Sequence, residues 1–555
     1  MSKLRLSSRM APVRRCWSRH ALTPAALLAA SAFAMSANAQ SPITTCDAAG
    51  IGSVPIFGDG PPVTILSATP AITPAPASVP YCLVKVLVPT AINIWVGLPD
   101  NWNGRWQSLG GGGYAGSVSA PTSAVNGGYA GAMTDTGHTG GSGTFGCVND
   151  CVGNSAGNPG QPNIPLQTDF AYRSEHLMAY LGKQLVKRYY GRPVIASYWN
   201  GCSTGGRQGL RMAQDYPFDY DGILAGASAI HWDRFQAGQI WYQVVQYMDN
   251  GGPIGGGVAA TLTAKENLAT SNALLACDAL DGVGDGVLTD PRACTYSAAA
   301  DPTITRSSCT ASDPTCLTPT EASAIDKMWQ GPVACAGGTS GACAVPDVAT
   351  RDLSDDGNKR LWYGEMRGTA LNGLGGTTPF SIAVAQPRYW VYFDPTWDFH
   401  TLNYSNTLQF FRDTVTQVGP IMASDNPNFA TFRDKGGKLV MWHGFADQLI
   451  VPQGSIDYYD RVTQTLGGGY AQTQDFARLF MAPGVGHCGG GSGPQPQGLF
   501  DALVNWVEHR QPPETILASR TVSGVTETRP LCPYPEFARY IGTGDTHNAT
   551  NFVCQ

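Results

Sequence analysis

The chain has 555 residues, of which 43% are hydrophobic and 14% are charged, and its formal net charge is −6. This composition excludes a disordered chain and is sufficient for a large buried core. A negative net charge argues against a nucleic-acid partner, which would require a basic face. No apolar run reaches the roughly 18–20 residues that span a bilayer, so we expect no membrane partner either.

The first 39 residues are typical of a secretory signal peptide. Six basic residues and no acidic residue accompany a short apolar stretch, Ala21 to Met35, and Ala37-Asn38-Ala39 is a small-x-small cleavage site. The alternative is a membrane anchor, for which the apolar stretch is too short. Cleavage would leave 14 of the 15 Cys and change the net charge from −6 to −12. We therefore expect an exported, disulfide-bonded protein, secreted or periplasmic.

Strand and helix patterns alternate in the first and last parts of the chain. Residues 40–80 are rich in Pro, Thr and Ala and indicate an extended segment held by Cys46 and Cys82. Hydrophobic periodicity then predicts strands at 82–98 and 106–109, a helix at 170–190, a strand at 194–199, a helix at 206–214, strands at 222–227 and 438–442, a helix at 454–466, a strand at 477–481 and a helix at 500–507. Such alternation indicates a mostly parallel sheet with helices on both faces.

Residues 229–424 interrupt this alternation. They contain Cys-bounded loops and many aromatic residues but little regular pattern. The simplest interpretation is one α/β domain, formed by residues 40–228 and 425–555, with a large insertion at 229–424.

The segment Gly201-Cys202-Ser203-Thr204-Gly205 matches the G-x-S-x-G pattern of a nucleophilic serine. The pattern alone is weak in a Gly-rich chain, but a predicted strand precedes it and a predicted helix follows it. That context is the sharp strand-to-helix turn that exposes a serine hydroxyl above a sheet. The alternative is a Gly-rich turn that only packs a helix against a strand.

Two later loops contain residues that would activate this serine. The nucleophile needs a base, and the base needs an orienting acid. The loops after the last two predicted strands contain Asp447 and His487, respectively. The chain order Ser203, Asp447, His487 is that of an α/β-hydrolase. His443 lies in the first of these loops, where it either braces the acid or lines the pocket.

Two cysteines are adjacent to the predicted nucleophile and base. Cys202 precedes Ser203, and Cys488 follows His487. If the serine and the histidine are in hydrogen-bond contact, the cysteines fall within the roughly 4.4–6.8 Å Cα separation of a disulfide. The alternative, two buried free thiols, is unexpected in an exported protein.

The oxyanion formed during attack needs backbone N–H donors. One donor is expected from Thr204, the residue after the nucleophile. The other is expected from the run Gly110 to Gly113, which follows an early strand. We assign it to Gly113, with Gly112 as the second choice.

An acidic loop in the insertion, bounded by Cys277 and Cys294, has the oxygen donors that a hard cation requires. The candidate ligands are three carboxylates and two backbone carbonyls, from Asp278, Asp281, Asp285, Val283 and Val287. Several carboxylate ligands suit Ca²⁺, so we predict a structural calcium site. The alternative is an acidic turn without a metal.

The run Gly201–Arg207, the loop with Asp447 and the pair His487-Cys488 together resemble the tannase and feruloyl esterase family. The resemblance implies an α/β-hydrolase core with a large inserted lid domain at 229–424. It also implies a serine carboxylic ester hydrolase that acts on esters of aromatic acids, such as feruloyl or galloyl esters, through an acyl-enzyme. A calcium ion in the lid and no organic cofactor are implied as well.

The family's hallmark is a disulfide between the cysteines adjacent to the serine and the histidine, here Cys202–Cys488. The acidic loop resembles the family's calcium site, and the segment 529–535 resembles its C-terminal region. The further pairs that the resemblance implies are Cys277–Cys294, Cys532–Cys554, Cys147–Cys151, Cys309–Cys316 and Cys335–Cys343, beside Cys46–Cys82.

Two substrate classes are compatible with the sequence. The alternative is a terephthalate monoester hydrolase of the same family, in which a lid arginine holds the free carboxylate of the substrate. In this chain Phe380 falls at the position of that arginine, and Arg388 is the nearest basic residue. Lid aromatics such as Phe393 either bracket an aromatic acyl group or form the lid's own core. The predicted pocket residues are His443, Leu449, Phe393 and Arg388.

An alternative of another class is a non-catalytic binding protein on a hydrolase fold. That alternative requires the loss of a triad member, and the sequence retains Ser203, Asp447 and His487. A peptidase would need recognition of a leaving amine, which the sequence does not reveal. A small aromatic ester is therefore the expected partner.

Overall fold

A nine-stranded sheet lies at the centre of the computed structural model, which describes residues 45–52, 63–89, 91–335 and 345–555. The predicted signal peptide, residues 1–39, lies outside the described residues. The described strands are β1 (Thr64–Ile72), β2 (Pro80–Val88), β3 (Ile92–Pro99), β4 (Arg105–Leu109), β5 (Ala130–Thr134), β6 (Ala196–Cys202), β7 (Gly222–Gly226), β8 (Val333–Ala334), β9 (Lys359–Arg360), β10 (Lys438–Gly444), β11 (Ala477–Ala482), β12 (Gln495–Pro496), β13 (Ile516–Val522), β14 (Val525–Leu531), β15 (Ala538–Tyr540) and β16 (Phe552–Cys554).

The α-helices flank this sheet and fill the insertion. The described helices are α1 (Ala48–Ile51), α2 (Thr122–Asn126), α3 (Ile164–Thr168), α4 (Ser174–Tyr190), α5 (Thr204–Asp215), α6 (Trp232–Asn250), α7 (Ala259–Cys277), α8 (Pro319–Gln330), α9 (Ser381–Gln386), α10 (Thr407–Met422), α11 (Ala430–Asp434), α12 (Gln453–Leu466), α13 (Gly469–Gln474) and α14 (Leu499–His509). No described helix has the length and apolar character needed to cross a membrane.

The central sheet has the strand order β1-β2-β3-β5-β4-β6-β7-β10-β11. Its first part, from β1 to β5, is antiparallel, and its second part, from β5 to β11, is parallel. Parallel neighbours need crossover connections, which here contain helices such as α5 between β6 and β7. The carboxyl ends of β6, β10 and β11 therefore lie at one edge of the sheet, where ligands bind in open α/β folds.

The predicted strand at 82–98 is two antiparallel strands, β2 and β3. Val84 and Val88 of β2 are fully buried, as are Ile92 and Ile94 of β3, in the alternation that the sequence shows. Sequence reasoning missed β1, which pairs with β2 at the sheet edge and is half exposed, and β5, whose small residues carry little hydrophobic signal. Ala68 is the one buried residue of β1, and a register irregularity between Ile65 and Ser67 interrupts its alternation, so its hydrophobic pattern is weak.

The insertion between β7 and β10 contains the helices α6 to α11. Most of α6 is buried, and it packs against α8, α9 and α10. A second hydrophobic cluster forms around α6 and reaches Tyr114 and Phe170 of the sheet domain. The insertion therefore covers the edge of the sheet where the site lies, while its role as a lid with boundaries at 229 and 424 stays a prediction.

Six disulfide bonds join the described cysteines. They are Cys46–Cys82, Cys147–Cys151, Cys202–Cys488, Cys277–Cys294, Cys309–Cys316 and Cys532–Cys554. Cys335 is also disulfide-bonded, and its predicted partner Cys343 lies outside the described residues. Since β14 leads into Cys532 and β16 contains Cys554, the last of these bonds ties the C-terminal strands together.

Candidate active site

Ser203 lies at the turn between β6 and α5. Its backbone φ of 63° and ψ of −124° are unusual for a residue with a side chain, and such strain is characteristic of functional sites. The Ser203 N–H donates to the carbonyl of Gly226 at 2.9 Å, and the Ser203 carbonyl accepts from the Ala229 N–H at 3.1 Å. A Cβ at Gly201 would lie 2.5 Å from the carbonyl carbon of Gly205, so only glycine fits this turn.

His487 faces a buried carboxylate. Its Nδ1 lies 2.8 Å from Oδ2 of Asp447. The other carboxylate oxygen, Oδ1, accepts the N–H groups of Leu449 at 2.9 Å and Ile450 at 2.8 Å. Burial alone would raise the pKa of the Asp447 carboxyl, but the hydrogen bonds from His443 and His487 outweigh it, and this pKa lies well below its ordinary value. The acid is therefore ionised and fixed in position.

His443 lies behind Asp447 and does not line the cavity, so its assignment as a pocket residue is corrected. Its Nε2 lies 2.9 Å from both Oδ2 of Asp447 and the carbonyl of Ile450, and its Nδ1 lies 2.8 Å from Oγ of Ser455. Because both groups that face Nε2 are acceptors, we assign the proton to this nitrogen. His443 then donates to the acid loop, and its Nδ1 accepts from the Ser455 hydroxyl.

Ser203 and His487 line the same cavity, which has a volume of about 360 Å³. No hydrogen bond joins these two side chains among the contacts of the described residues; such bonds commonly tighten only when substrate binds. The lining residues are Gly112, Gly113, Cys202, Ser203, Thr204, Ala229, Trp232, Phe235, Gln236, Gln239, Phe380, Ile382, Leu449, Ile450, His487 and Cys488. Apart from His487, none of these described residues has an ionisable side chain.

The disulfide Cys202–Cys488 joins the residues adjacent to Ser203 and His487, with a Cα separation of 5.9 Å. Its two cysteines are 286 positions apart in the chain. The bond therefore links the loop after β11 directly to the end of β6.

A Gly-rich loop borders the cavity beside Ser203. Gly112, Gly113 and Thr204 all contribute to the wall. The Thr204 hydroxyl donates to the Gly113 carbonyl at 2.6 Å, and the Gly111 N–H donates to Oε1 of Gln208 at 3.0 Å. Both bonds attach the loop to the first turns of α5, whose initial N–H groups have no partner within the helix. The arrangement is suited to binding an oxyanion.

A family model described as tannase and feruloyl esterase matches residues 84–555. The chain belongs to the tannase and feruloyl esterase family. A probable feruloyl esterase of Arthroderma benhamiae is 36% identical over 475 residues, covering 83% of this chain and 82% of the relative. The mono(2-hydroxyethyl) terephthalate hydrolase of Piscinibacter sakaiensis is 31% identical over 547 residues, covering 88% of this chain and 87% of the relative.

A solved structure has a similar fold. The crystal structure of an esterase from Aspergillus oryzae has a TM-score of 0.74 and 26% sequence identity, and the match covers 89% of this chain and 97% of that chain. The predicted α/β-hydrolase fold and the predicted class, a carboxylic ester hydrolase of this family, are thereby confirmed.

The pocket of this family member differs from the sequence prediction. Leu449 lines the cavity as expected, and so does Phe380. Arg388 and Phe393 do not: Nε of Arg388 donates to the carbonyl of Trp397 at 2.9 Å, and the Phe393 carbonyl accepts from a loop N–H. Sequence reasoning missed the contribution of α6, whose cavity residues are Trp232, Phe235, Gln236 and Gln239. Their i, i+3, i+4, i+7 spacing is the signal that would have found them.

The acidic loop of the insertion is held by its own backbone. Asp278 accepts the N–H groups of Gly286 and Val287 at 2.9 and 3.1 Å, and Oδ1 of Asp281 accepts the Val283 N–H at 2.9 Å. Oδ2 of Asp285 lies 2.7 Å from Nη2 of an arginine of β14, Arg529. The loop is therefore connected to the C-terminal sheet.

The donor chemistry of this loop fits Ca²⁺, but its carboxylates are not gathered around one point. Within the described residues, three metal-ligating side chains lie within 4.8 Å of one another only at Cys309, Asp313 and Cys316. Two of those three are joined in a disulfide and are not available as thiolate ligands. The calcium site thus stays a prediction that rests on the oxygen donors of the loop.

Proposed function

We propose that this protein is an exported serine esterase that hydrolyses esters of phenolic acids through an acyl-enzyme. One observation carries the proposal. Ser203 on its strained turn and His487, whose Nδ1 is held by the buried Asp447, line a single apolar cavity. The disulfide between their neighbours holds the two loops together.

The geometry supports a specific order of events. The Ser203 hydroxyl attacks the ester carbonyl while His487 Nε2 accepts its proton and then donates it to the leaving alcohol. Asp447 keeps the hydrogen on Nδ1 and stabilises the imidazolium that forms. The N–H groups of Gly113 and Thr204 bind the oxyanion, and a water molecule activated by His487 releases the acid and regenerates the hydroxyl.

The cavity wall favours an aromatic acid without a charge. Trp232, Phe235 and Phe380 provide aromatic surface for the ring. No Lys or Arg is among the described lining residues, so a free carboxylate would be buried without a counter-charge, which is costly. Feruloyl-type or galloyl-type esters therefore fit better than terephthalate monoesters, the substrate in the name of the Piscinibacter sakaiensis relative.

Calcium binding by the Cys277–Cys294 loop is the second element of the proposal. When bound, the ion would be held by the carboxylates of Asp278, Asp281 and Asp285 with the carbonyls of Val283 and Val287. Its contribution would be structural, because none of these residues lines the cavity. Export is supported by the disulfides of the described residues, since such bonds persist in oxidising compartments.

The test is hydrolysis of methyl ferulate by the wild type and by Ser203→Ala. We expect the substitution to lower kcat by about 10⁴-fold or more, because no other group supplies the nucleophile. Ser405→Ala is the matched control; this exposed serine lies in the insertion away from the cavity, and its loss should not change the rate. Equal rates for the wild type and Ser203→Ala would overturn the proposal.

A further inference from the structure

The loop that contains the proposed oxyanion donor is anchored to the helix that follows Ser203. The Thr204 hydroxyl donates to the Gly113 carbonyl at 2.6 Å, and the Gly111 N–H donates to Oε1 of Gln208 at 3.0 Å. Thr204 and Gln208 are four residues apart on α5, so their side chains lie on one face of the helix. The helix that begins beside the nucleophile therefore also holds the loop at two points.

The loop needs such anchors because it consists of four glycines, Gly110 to Gly113. Glycine has the widest backbone freedom of all residues, so hydrogen bonds contribute strongly to the position of this loop. Gln208 is only 1% exposed, so bulk water does not replace its oxygen as the acceptor of the Gly111 N–H. Removing that oxygen leaves the N–H without its partner, and the loop recovers the lost hydrogen bond only by moving.

A buried carboxyl group of α4 fixes the orientation of the Gln208 amide. Nε2 of Gln208 donates to Oε1 of Glu175, which is fully buried. A backbone N–H only donates, so the amide oxygen faces Gly111 and the amide nitrogen faces Glu175. These three residues form a hydrogen-bonded chain from α4 through α5 to the loop, and none of them is among the described residues that line the cavity.

We propose that Gln208, oriented by Glu175, is a positioning residue that holds Gly111 and thereby places the Gly113 N–H where the oxyanion forms. This assignment rests on the proposed esterase function and adds to it the residue that sets the position of the oxyanion loop. An oxyanion donor binds the transition state more strongly than the bound ester. A displaced donor therefore lowers kcat and leaves KM nearly unchanged.

The experiment measures kcat and KM for methyl ferulate in the wild type and in Gln208→Met, which keeps the side-chain length but lacks the amide oxygen. Gln208→Asn is a second variant, whose amide is one methylene too short to reach Gly111. The matched control is Gln246→Met. Gln246 is also fully buried and does not line the cavity. Its Oε1 accepts the Ile254 N–H at 2.8 Å, and its Nε2 donates to the Gly375 carbonyl at 2.8 Å.

We expect Gln208→Met and Gln208→Asn to lower kcat by about 10- to 100-fold while KM stays within about 2-fold of the wild-type value. Gln246→Met should leave kcat unchanged even if it lowers the Tm. A wild-type kcat in a folded Gln208→Met or Gln208→Asn variant would overturn the assignment. An equal loss of kcat in Gln246→Met would overturn it as well, because the effect would then follow from any buried amide.

Exchanging the two side chains tests the hydrogen bonds themselves. The double variant Gln208→Glu with Glu175→Gln moves the carboxyl group to α5, where it accepts from the Gly111 N–H. It moves the amide to α4, where its nitrogen donates to that carboxyl group. We expect this double variant to recover most of the kcat lost in Gln208→Met. A folded double variant as slow as Gln208→Met would contradict the assignment.

A trifluoromethyl ketone that carries the feruloyl ring distinguishes a displaced oxyanion donor from a general loosening of the fold. The Ser203 oxygen adds to the ketone carbon, the carbonyl electron pair becomes an oxyanion, and the hydroxyl proton moves to His487. The Ki of this inhibitor should rise in Gln208→Met by the factor by which kcat/KM falls. A Ki that stays at the wild-type value while kcat falls would overturn the assignment.

The outcomes separate this assignment from the esterase proposal. If Ser203→Ala abolishes hydrolysis while the Gln208 variants keep the wild-type kcat, the esterase proposal stands and the positioning assignment fails. If Ser203→Ala hydrolyses methyl ferulate at the wild-type rate, the esterase proposal itself fails. If Gln208→Met does not fold, Gln208→Asn and the exchanged double variant decide.

Discussion

Removing the Cys202–Cys488 disulfide should damage catalysis and stability together. The bond closes a loop of 286 residues, whereas Cys532–Cys554 closes one of 22 residues. In the chain-entropy model the first cross-link contributes about 5.7 kcal/mol to the free energy of unfolding and the second about 3.4 kcal/mol. The difference, about 2.3 kcal/mol, depends only on the ratio of the two loop lengths.

The catalytic consequences of the two removals should differ more sharply. Cys202 and Cys488 line the cavity, and they are adjacent to Ser203 and His487. Without the bond, the two loops lose the covalent link between the proposed nucleophile and the proposed base, and small displacements of reacting groups reduce rates by about 10²-fold. The C-terminal disulfide has no such position, so its removal should leave kcat unchanged.

The assay uses the double variants Cys202→Ala with Cys488→Ala, and Cys532→Ala with Cys554→Ala. Urea unfolding gives the free energies, and hydrolysis of methyl ferulate gives kcat for the folded fraction. A folded first double variant that retained the wild-type kcat would contradict a positioning role for Cys202–Cys488. So would a C-terminal double variant that lost as much kcat as the first.

Three further predictions concern a buried acid, the acidic loop and the cavity wall. Burial raises the pKa of the Glu175 carboxyl from 4.5 to about 7, so the unfolded chain releases this proton at a lower pH than the folded protein does. The free energy of unfolding therefore falls by roughly 3 kcal/mol as the pH rises through this range. Glu175→Gln should abolish the decrease, which urea titrations at pH 5 and pH 8 would measure. Chelation of calcium with EDTA should lower the Tm of the wild type and of the control variant Asp313→Asn, which keeps the acidic loop. It should not lower the Tm of Asp281→Asn, which lacks one of the proposed ligands. A wild-type Tm unaffected by EDTA would count against calcium. Phe380→Arg places a cation in the cavity wall, where it can pair with a free carboxylate of the substrate. The ratio of kcat/KM for mono(2-hydroxyethyl) terephthalate to kcat/KM for methyl ferulate should rise by about 10-fold or more. An unchanged ratio would show that Phe380 does not set this preference.

The strand-helix pattern and the loops that contain Ser203, Asp447 and His487 were predictable because local rules determine them. The G-x-S-x-G turn needs glycines where a Cβ would collide with backbone, as at Gly201, and this requirement is visible in the sequence. Asp447 and His487 follow predicted strands, so parallel topology brings both loops to one edge of the sheet. The cysteines beside Ser203 and His487 provided a long-range restraint, and the structure contains the bond between them.

The pocket was not predictable in the same way, because tertiary packing determines it. The chemical type of Arg388 and Phe393 suggests pocket residues, but Arg388 donates to the Trp397 carbonyl within the insertion, and the Phe393 carbonyl accepts from the N–H of Gly160 in the sheet domain. The sequence allows His443 two roles, and only its hydrogen bonds to Asp447, Ser455 and the Ile450 carbonyl show that it braces the acid. The amide of Gln239, a cavity residue of α6, likewise donates to a carbonyl 210 positions away in sequence.

Trapping of the acyl-enzyme tests the central claim most directly. The wild-type protein is mixed with methyl ferulate, quenched in acid within the first turnovers, digested and analysed by mass spectrometry. We predict a feruloyl group on the peptide that contains Ser203, absent when the quench follows complete hydrolysis and absent in Ser203→Ala. A feruloyl group on another residue of the active wild type would contradict a Ser203–His487–Asp447 mechanism. So would a His487→Ala variant that accumulates no adduct and retains the wild-type rate.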